Sequence, residues 1–247
     1  MSDLVGRIVN AIRTRTPLDP AQSGLTPEAA YELQDQVIAA LGGTVEAAKI
    51  GLTSKAKQQQ MNVSEPSYGW LLAGSRLQPG EALVVSELIQ PRVEPEIAFL
   101  TQKTLSGSAT VAQVLEATAA VMPAIDVLDS RYAGYQFTLP DVIADNASAA
   151  RFKVGDPISP QGIDLRTVGC VFGKNGVVVA TAAGAAVLDH PAAAVAWLVH
   201  KLAERGKELP GGSLVLAGAL TAAVPIAPGD VVTVEIDRVG SVHLAAT

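Results

Sequence analysis

The segment Arg92-Val93-Glu94-Pro95-Glu96-Ile97-Ala98-Phe99 sets two carboxylates two residues apart in an otherwise apolar run. Side chains at i and i+2 of a strand share a face, so Glu94 and Glu96 stand side by side while Val93, Pro95, Ile97 and Phe99 line the other face. Alone, such a pair also fits the solvent side of a half-buried strand. A third acid shifts the balance. Asp126 lies in Val121-Met122-Pro123-Ala124-Ile125-Asp126-Val127-Leu128, a run apolar enough to be interior. An ionised carboxylate there needs a cation, a proton or good donors. Three carboxylates without a sulfur or imidazole partner suit a hard divalent ion, Mg²⁺ or else Mn²⁺. A metal site at Glu94, Glu96 and Asp126 is the expectation, provided the fold brings them together.

Other residues could complete such a site. Lys49, in Ala47-Ala48-Lys49-Ile50-Gly51-Leu52, sits mid-strand among apolar neighbours. It must either snorkel to water or pair with an anion, and burial that lowered its pKa would suit it to proton transfer. Asp129-Ser130-Arg131-Tyr132-Ala133-Gly134-Tyr135 follows Asp126 closely. Arg131 could clamp a carboxylate bidentately, or simply pair with Asp129 or Asp141. The turn-prone Asp145-Asn146-Ala147-Ser148 offers backbone donors to a ligand. The three histidines sit where structural roles suffice. No Gly-x-Ser-x-Gly elbow supports a serine hydrolase, and the chain lacks the aromatic platform of a glycosidase.

The elements that must position these residues can be read from spacing. Leu4, Ile8 and Ile12 mark one helix, and Thr26-Pro27-Glu28 opens a second that runs to Leu41. Strands are expected at 45–52, 82–88, 93–100 and 124–128, with a helix at 111–121. Residues 53–61 read as a polar turn and short helix. The Asn175-Gly176 pair predicts a hairpin between 168–172 and 177–181. A helix follows at 191–205, and a second hairpin (231–236 with 242–245) ends the chain. Strand runs with a few helices to one side imply an α+β fold: a mixed, highly curved β-sheet or barrel-like roll over 44–247, with a helical N-terminal appendage over 1–43.

Composition bounds the partners. A net charge of −6 gives no reason to expect nucleic acid or an anionic membrane. The single Cys170 excludes an internal disulfide and reads as an inert core thiol. With no long apolar span and no basic-then-apolar leader, the expectation is a cytoplasmic protein. Abundant alanine and valine leave apolar surface to cover, which favours a homo-oligomer.

The ordered set Lys49-Ile50-Gly51-Leu52-Thr53-Ser54, Ile89-Gln90-Pro91-Arg92-Val93-Glu94-Pro95-Glu96-Ile97-Ala98-Phe99, Ala144-Asp145-Asn146-Ala147-Ser148, Gly184-Ala185-Ala186-Val187-Leu188 and Gly218-Ala219-Leu220-Thr221 resembles the hydratase/decarboxylase branch of the fumarylacetoacetate hydrolase superfamily. The likeness covers nearly the whole chain, 1–247, as one catalytic domain. It implies Mg²⁺ on Glu94, Glu96 and Asp126, a 2-oxo acid substrate, Lys49 as catalytic residue, and Arg131, Tyr132, Ser148 and Thr221 at the substrate. Asp126 departs from the branch's usual glutamate, and Ala219 from its serine or glycine. Two activities compete within the branch. The aspartate that hydratases of 2-hydroxypenta-2,4-dienoate carry after the lysine loop is replaced here by Ser67, in Glu65-Pro66-Ser67-Tyr68-Gly69-Trp70. The segment Asp129-Ser130-Arg131-Tyr132, with Tyr135 and Phe137, resembles the decarboxylases of catechol meta-cleavage. The resemblance therefore implies decarboxylation of 2-oxo-3-hexenedioate, a dicarboxylate, ahead of hydration, and leaves room for a complex with a paralogous hydratase. A non-catalytic assembly subunit is the third reading; it would have no need of Lys49 and the three acids together.

Overall fold

Thr26 caps α2 (Pro27–Leu41): its side chain accepts the Ala29 N–H at 3.3 Å, and Pro27 stands where a missing N–H costs nothing. The preceding helix α1 (Ser2–Thr14) packs on it. The computed structural model describes residues 2–20, 22–54, 58, 63 and 65–247. The polar turn and helix read at 53–61 lies outside these apart from 53, 54 and 58.

The larger sheet uses β1 (Val45–Gly51), β2 (Ser67–Leu72), β3 (Arg92–Thr101), β4 (Thr118–Leu128) and β5 (Ala149–Val154). Later in the chain, β8 (Leu214–Leu216) and the short β9 (Val224–Pro225) join it. The order is β2-β1-β8-β3-β4-β5, with β9 on β3. The sheet curls until its edges meet: the Leu77 N–H donates to Phe152 O at 2.8 Å and the Phe152 N–H to Ser75 O at 3.0 Å. Residues 75–77, just past β2, thus close the roll against β5. Ala47, Ala98, Met122, Ala124, Phe152, Leu214 and Leu216 form an apolar plug on its concave face. The opposite parity of the same strands, with Val93, Ile97, Phe99, Ile125 and Val127, joins the main core beneath the helices.

Between β3 and β4 runs α3 (Val111–Glu116), capped by a reciprocal Thr110–Gln113 pair. The helix expected over 111–121 therefore stops early. Pairing of β4 with β3 along its length overrides the helical spacing of Val111, Val114, Leu115 and Thr118. The strand expected at 82–88 is absent as well. Leu83 makes one bridge to Ala246, and the backbone then turns through a 3₁₀ turn, Val85–Glu87. The helix α4 (Leu139–Ala144) leads into β5, and α2 packs against it.

A second sheet, ordered β11-β10-β6-β7, is built from β6 (Gly169–Lys174), β7 (Val177–Ala183), β10 (Val231–Ile236) and β11 (Gly240–Ala245). The Asn175-Gly176 turn joins β6 to β7, with φ of 53° and 78°. The helix α5 (Pro191–Ala203) fills the main core with Val195, Leu198 and Leu202. Cys170 is buried, and burial pushes its thiol up to about 11. No described helix is long and apolar enough to cross a membrane.

Candidate active site

The register of β3 on β4 puts Glu94 directly opposite Asp126, and Glu96 follows one side-chain step along the same face. A ligand oxygen from each of the three carboxylates lies within 4.8 Å of the others. All three are buried, Glu96 and Asp126 completely. They form a polar layer directly above the apolar plug, on the concave face.

Lys49 reaches this layer from β1. Its Nζ lies 3.0 Å from Asp126 Oδ2 and donates to Ala147 O at 3.0 Å. Burial alone would lower the lysine pKa, but Asp126, Glu94 and Glu96 outweigh it and hold Lys49 above its ordinary range. The sequence-based expectation of a lowered pKa is therefore corrected. With the three acids uncompensated, Lys49 is held as an ammonium, which can give a proton or a charge.

Glu96 has the opposite problem. Burial first, and Asp126 next, push its carboxyl well above the ordinary range, against the pull of Lys49 and the Gly218 N–H. That N–H donates to Glu96 Oε2 at 2.6 Å. Gly218 has φ of 110°, and a Cβ there would overlap Thr53, so only glycine lets this backbone approach. Glu96 Oε1 is buried without a hydrogen-bond partner among the described residues. Among the described residues, three carboxylates face one ammonium in a dry layer, a set that a divalent cation would help to balance. The donor set is all oxygen, as Mg²⁺ and Mn²⁺ prefer.

Above this layer opens a pocket of about 340 Å³. Lys49, Glu94, Ser67, Ser148 and Arg92 contribute its polar lining, and Leu52, Leu128, Phe137 and Val142 are among its apolar walls. Ser148 ends a run of three left-handed residues, Asn146, Ala147 and Ser148, with φ of 53°, 51° and 56°. Such residues are individually strained, and the surroundings fix them. Asn146 mimics a strand neighbour, accepting the Trp70 N–H at 2.7 Å and donating to Trp70 O at 2.8 Å. A Cβ on Gly69 would overlap the Asn146 carbonyl, so β2 and this turn meet only because residue 69 is glycine. The turn delivers the Ala147 carbonyl to Lys49 and Ser148 to the pocket.

Arg131 and Tyr132 do not face the pocket. The Arg131 guanidinium is buried, with Nε on the Asp145 carboxylate, Nη2 on Asp145 O, and Nη1 on Asp129 O at 2.7 Å and Ala149 O at 3.1 Å. With those donors spent inside the fold, it has no fork to offer a substrate carboxylate, which corrects the expected clamp. Tyr132 is fully buried, and its hydroxyl has no hydrogen-bond partner among the described residues. Its backbone carbonyl accepts from Gln90 Nε2 at 2.7 Å, so its place is in the packing around that loop. The Thr221 hydroxyl donates to Ala222 O at 3.3 Å; the wall of the pocket is formed by Ala222 and Ala223 beside it. Arg92 was not singled out from the sequence, although the period-two rule that pairs Glu94 with Glu96 places it on their face.

Residues 37–245 match the fumarylacetoacetate (FAA) hydrolase C-terminal family. A 4-oxalocrotonate decarboxylase of Pseudomonas sp. (strain CF600) is 46% identical over 218 residues, covering 86% of this chain and 83% of that protein. A 2-keto-4-pentenoate hydratase of Paraburkholderia xenovorans (strain LB400) is 38% identical over 244 residues, covering 96% and 91%. The solved 4-oxalocrotonate decarboxylase from Pseudomonas putida G7, complexed with magnesium and adipate, superposes with a TM-score of 0.94 at 39% identity, covering 99% of this chain and 96% of that one. From its acid-bearing roll to its overall topology, this chain belongs to the fumarylacetoacetate hydrolase family.

Proposed function

We propose that this protein is a magnesium-dependent carboxy-lyase that converts 2-oxo-3-hexenedioate (4-oxalocrotonate) to 2-hydroxypenta-2,4-dienoate and CO₂, a step of aromatic meta-cleavage catabolism. The reading is supported by the decarboxylase relatives at up to 46% identity and by the solved relative that holds magnesium with a six-carbon dicarboxylate. The observation that carries it is the pocket lining. Ser67 stands there, and the only carboxylate among the described lining residues is Glu94, which belongs to the acid cluster. Among the described lining residues no spare acid is placed to activate a water, whereas hydration needs one.

Glu94, Glu96 and Asp126 would hold the ion. When bound, it supplies Lewis-acid polarisation to a 2-oxo acid head. In the substrate the C5–C6 bond breaks and C6 leaves as CO₂. The bonding pair becomes the C4–C5 double bond, the former C3–C4 double bond moves to C2–C3, and the 2-oxo oxygen takes the charge. Lys49, held as an ammonium beside Asp126, is positioned to stabilise that charge and to return a proton to the oxygen or the conjugated chain. The Ala147 carbonyl and Asp126 fix its direction. Leu52, Leu128, Phe137 and Val142 keep the dienolate apart from bulk water.

Residues 1–247 act as one catalytic domain in the cytoplasm on this reading. A homo-oligomer is supported by the exposed valines Val171, Val177, Val178, Val179 and Val231, all on the second sheet. A complex with a paralogous hydratase would hand on the dienol. The hydratase reading itself is favoured by the 38% identical hydratase relative. A spectrophotometric assay with Mg²⁺ separates the two. CO₂ release from 2-oxo-3-hexenedioate with accumulation of the dienol is the expected result. Rapid conversion of 2-hydroxypenta-2,4-dienoate to 4-hydroxy-2-oxopentanoate without CO₂ release overturns it in favour of hydration.

A further inference from the structure

Among the described residues, two cationic side chains line the pocket, Lys49 and Arg92. Lys49 is committed to Asp126 and the Ala147 carbonyl. Arg92 is paired with no anion among the described residues. Its guanidinium carbon lies 4.3 Å from the centroid of the Tyr135 ring, and no N–H of that guanidinium is hydrogen-bonded to another described residue. Tyr135 is itself fixed, its hydroxyl donating to Leu128 O at 3.1 Å or Gln90 O at 3.2 Å. The ring covers one face of a planar cation and leaves the N–H edge open, an arrangement that presents a fork for a carboxylate.

Exposure along β3 shows where this fork stands. Glu96 is fully buried, Glu94 is 4% exposed, and Arg92 is half-buried. Arg92 therefore sits at the mouth, one side-chain step beyond Glu94 on the same strand face. Such a step spans roughly 7 Å, and the terminal carbons of an extended six-carbon diacid lie roughly 6 Å apart by ordinary bond lengths. A 2-oxo acid head at the acid cluster would bring the far carboxylate of such a molecule to Arg92. The apolar walls formed by Leu128 and Phe137 strengthen that attraction by excluding water.

We propose that Arg92 binds the substrate carboxylate farthest from the 2-oxo acid. The assignment rests on the decarboxylase reading above. Because the bound carboxylate is the one lost as CO₂, an ionic clamp on it stabilises the ground state, so removing Arg92 is expected to act through KM and to leave kcat nearly unchanged or raised.

The test compares the magnesium-loaded wild type with R92A and R92K, each checked for folding by thermal melting. It measures CO₂ release from 2-oxo-3-hexenedioate and competitive inhibition by adipate and by pyruvate. R92A should raise the KM for the dicarboxylate and the inhibition constant of adipate by about ten- to a hundredfold, with kcat and pyruvate inhibition within about threefold of wild type. R92K, which keeps the charge but loses the fork, should fall between them, and carries the comparison if R92A does not fold. Equal losses of adipate and pyruvate binding, or unchanged adipate binding, overturn the assignment while leaving the decarboxylase reading intact. A wild type that neither releases CO₂ nor binds adipate overturns both.

Discussion

Lys49 Nζ lies 3.0 Å from Asp126 Oδ2, although their strands, β1 and β4, are separated in the sheet by β8 and β3. Across a flat sheet those strands would be roughly 14 Å apart, farther than a lysine side chain reaches. The ion pair crosses the concave space of the roll. It exists only because the sheet curls, and it ties the chemistry of the site to closure of the fold.

Removing Lys49 should therefore separate structure from catalysis. In K49M the acid layer loses the ammonium paired with Asp126, and the metal-free protein is expected to lose about 3–5 kcal/mol of stability, as when one partner of a buried pair is deleted. Added Mg²⁺ should restore much of that loss without restoring CO₂ release. Urea denaturation with and without Mg²⁺, beside the decarboxylase assay, reads both effects.

E94Q and E96Q should keep the fold and lose the metal. Wild type saturated with Mg²⁺ at a hundred times its Kd should gain about 2.7 kcal/mol, visible as a rise in Tm. Either variant should show a much smaller rise, with turnover reduced at least a hundredfold, beyond the loss typical of altering a group behind the metal ligands. A variant whose Tm still responds to Mg²⁺ as wild type does would remove that carboxylate from the ligand set.

Arg131 and Asp145 form a buried pair behind the pocket, so their variants should report on stability. D145N leaves the guanidinium without its counter-charge and is expected to cost about 3–5 kcal/mol. R131K should also destabilise, because an ammonium cannot serve three carbonyls and a carboxylate from one plane. In whatever fraction of R131K stays folded, the KM for the dicarboxylate should match wild type. A KM raised tenfold with stability unchanged would return Arg131 to the substrate.

Val178 is 60% exposed on β7, the edge strand of the second sheet. V178K should alter protomer stability by less than about 0.5 kcal/mol, as surface substitutions usually do. It should nevertheless shift the solution mass toward the monomer, because a lysine on an edge strand opposes pairing with a second copy. Light scattering coupled to gel filtration measures the shift. An unchanged mass places the subunit contact elsewhere.

The acid cluster was legible in the sequence because its signals are local: period-two spacing for Glu94 and Glu96, and an acid stranded among apolar residues for Asp126. The α+β class and the Asn175-Gly176 hairpin were legible for the same reason. What the spacing did not carry depends on long-range pairing. Residues 118–121 read as the end of a helix until β3 claims them for β4. Ser67 and its neighbours gave no strand signal, yet β1 pairs with them along β2. Arg131 sits in sequence beside Asp126 and looked available. Its commitment to Asp145 depends on the left-handed turn at 146–148, a backbone shape that no residue type there demands.

The apolar plug of Ala47, Ala98, Met122, Ala124 and Leu216 also governs traffic. It closes the roll beneath the acid layer, so the pocket opens away from the plug, on the side of the half-buried Arg92. Whatever enters head first must back out, and the fragment nearest the opening departs before the one lodged at the acids. CO₂, cut from the outer end of the substrate, leaves first, and the dienol follows as the last product. That order makes the dienol a competitive product inhibitor and leaves dissolved CO₂ without effect on the empty enzyme.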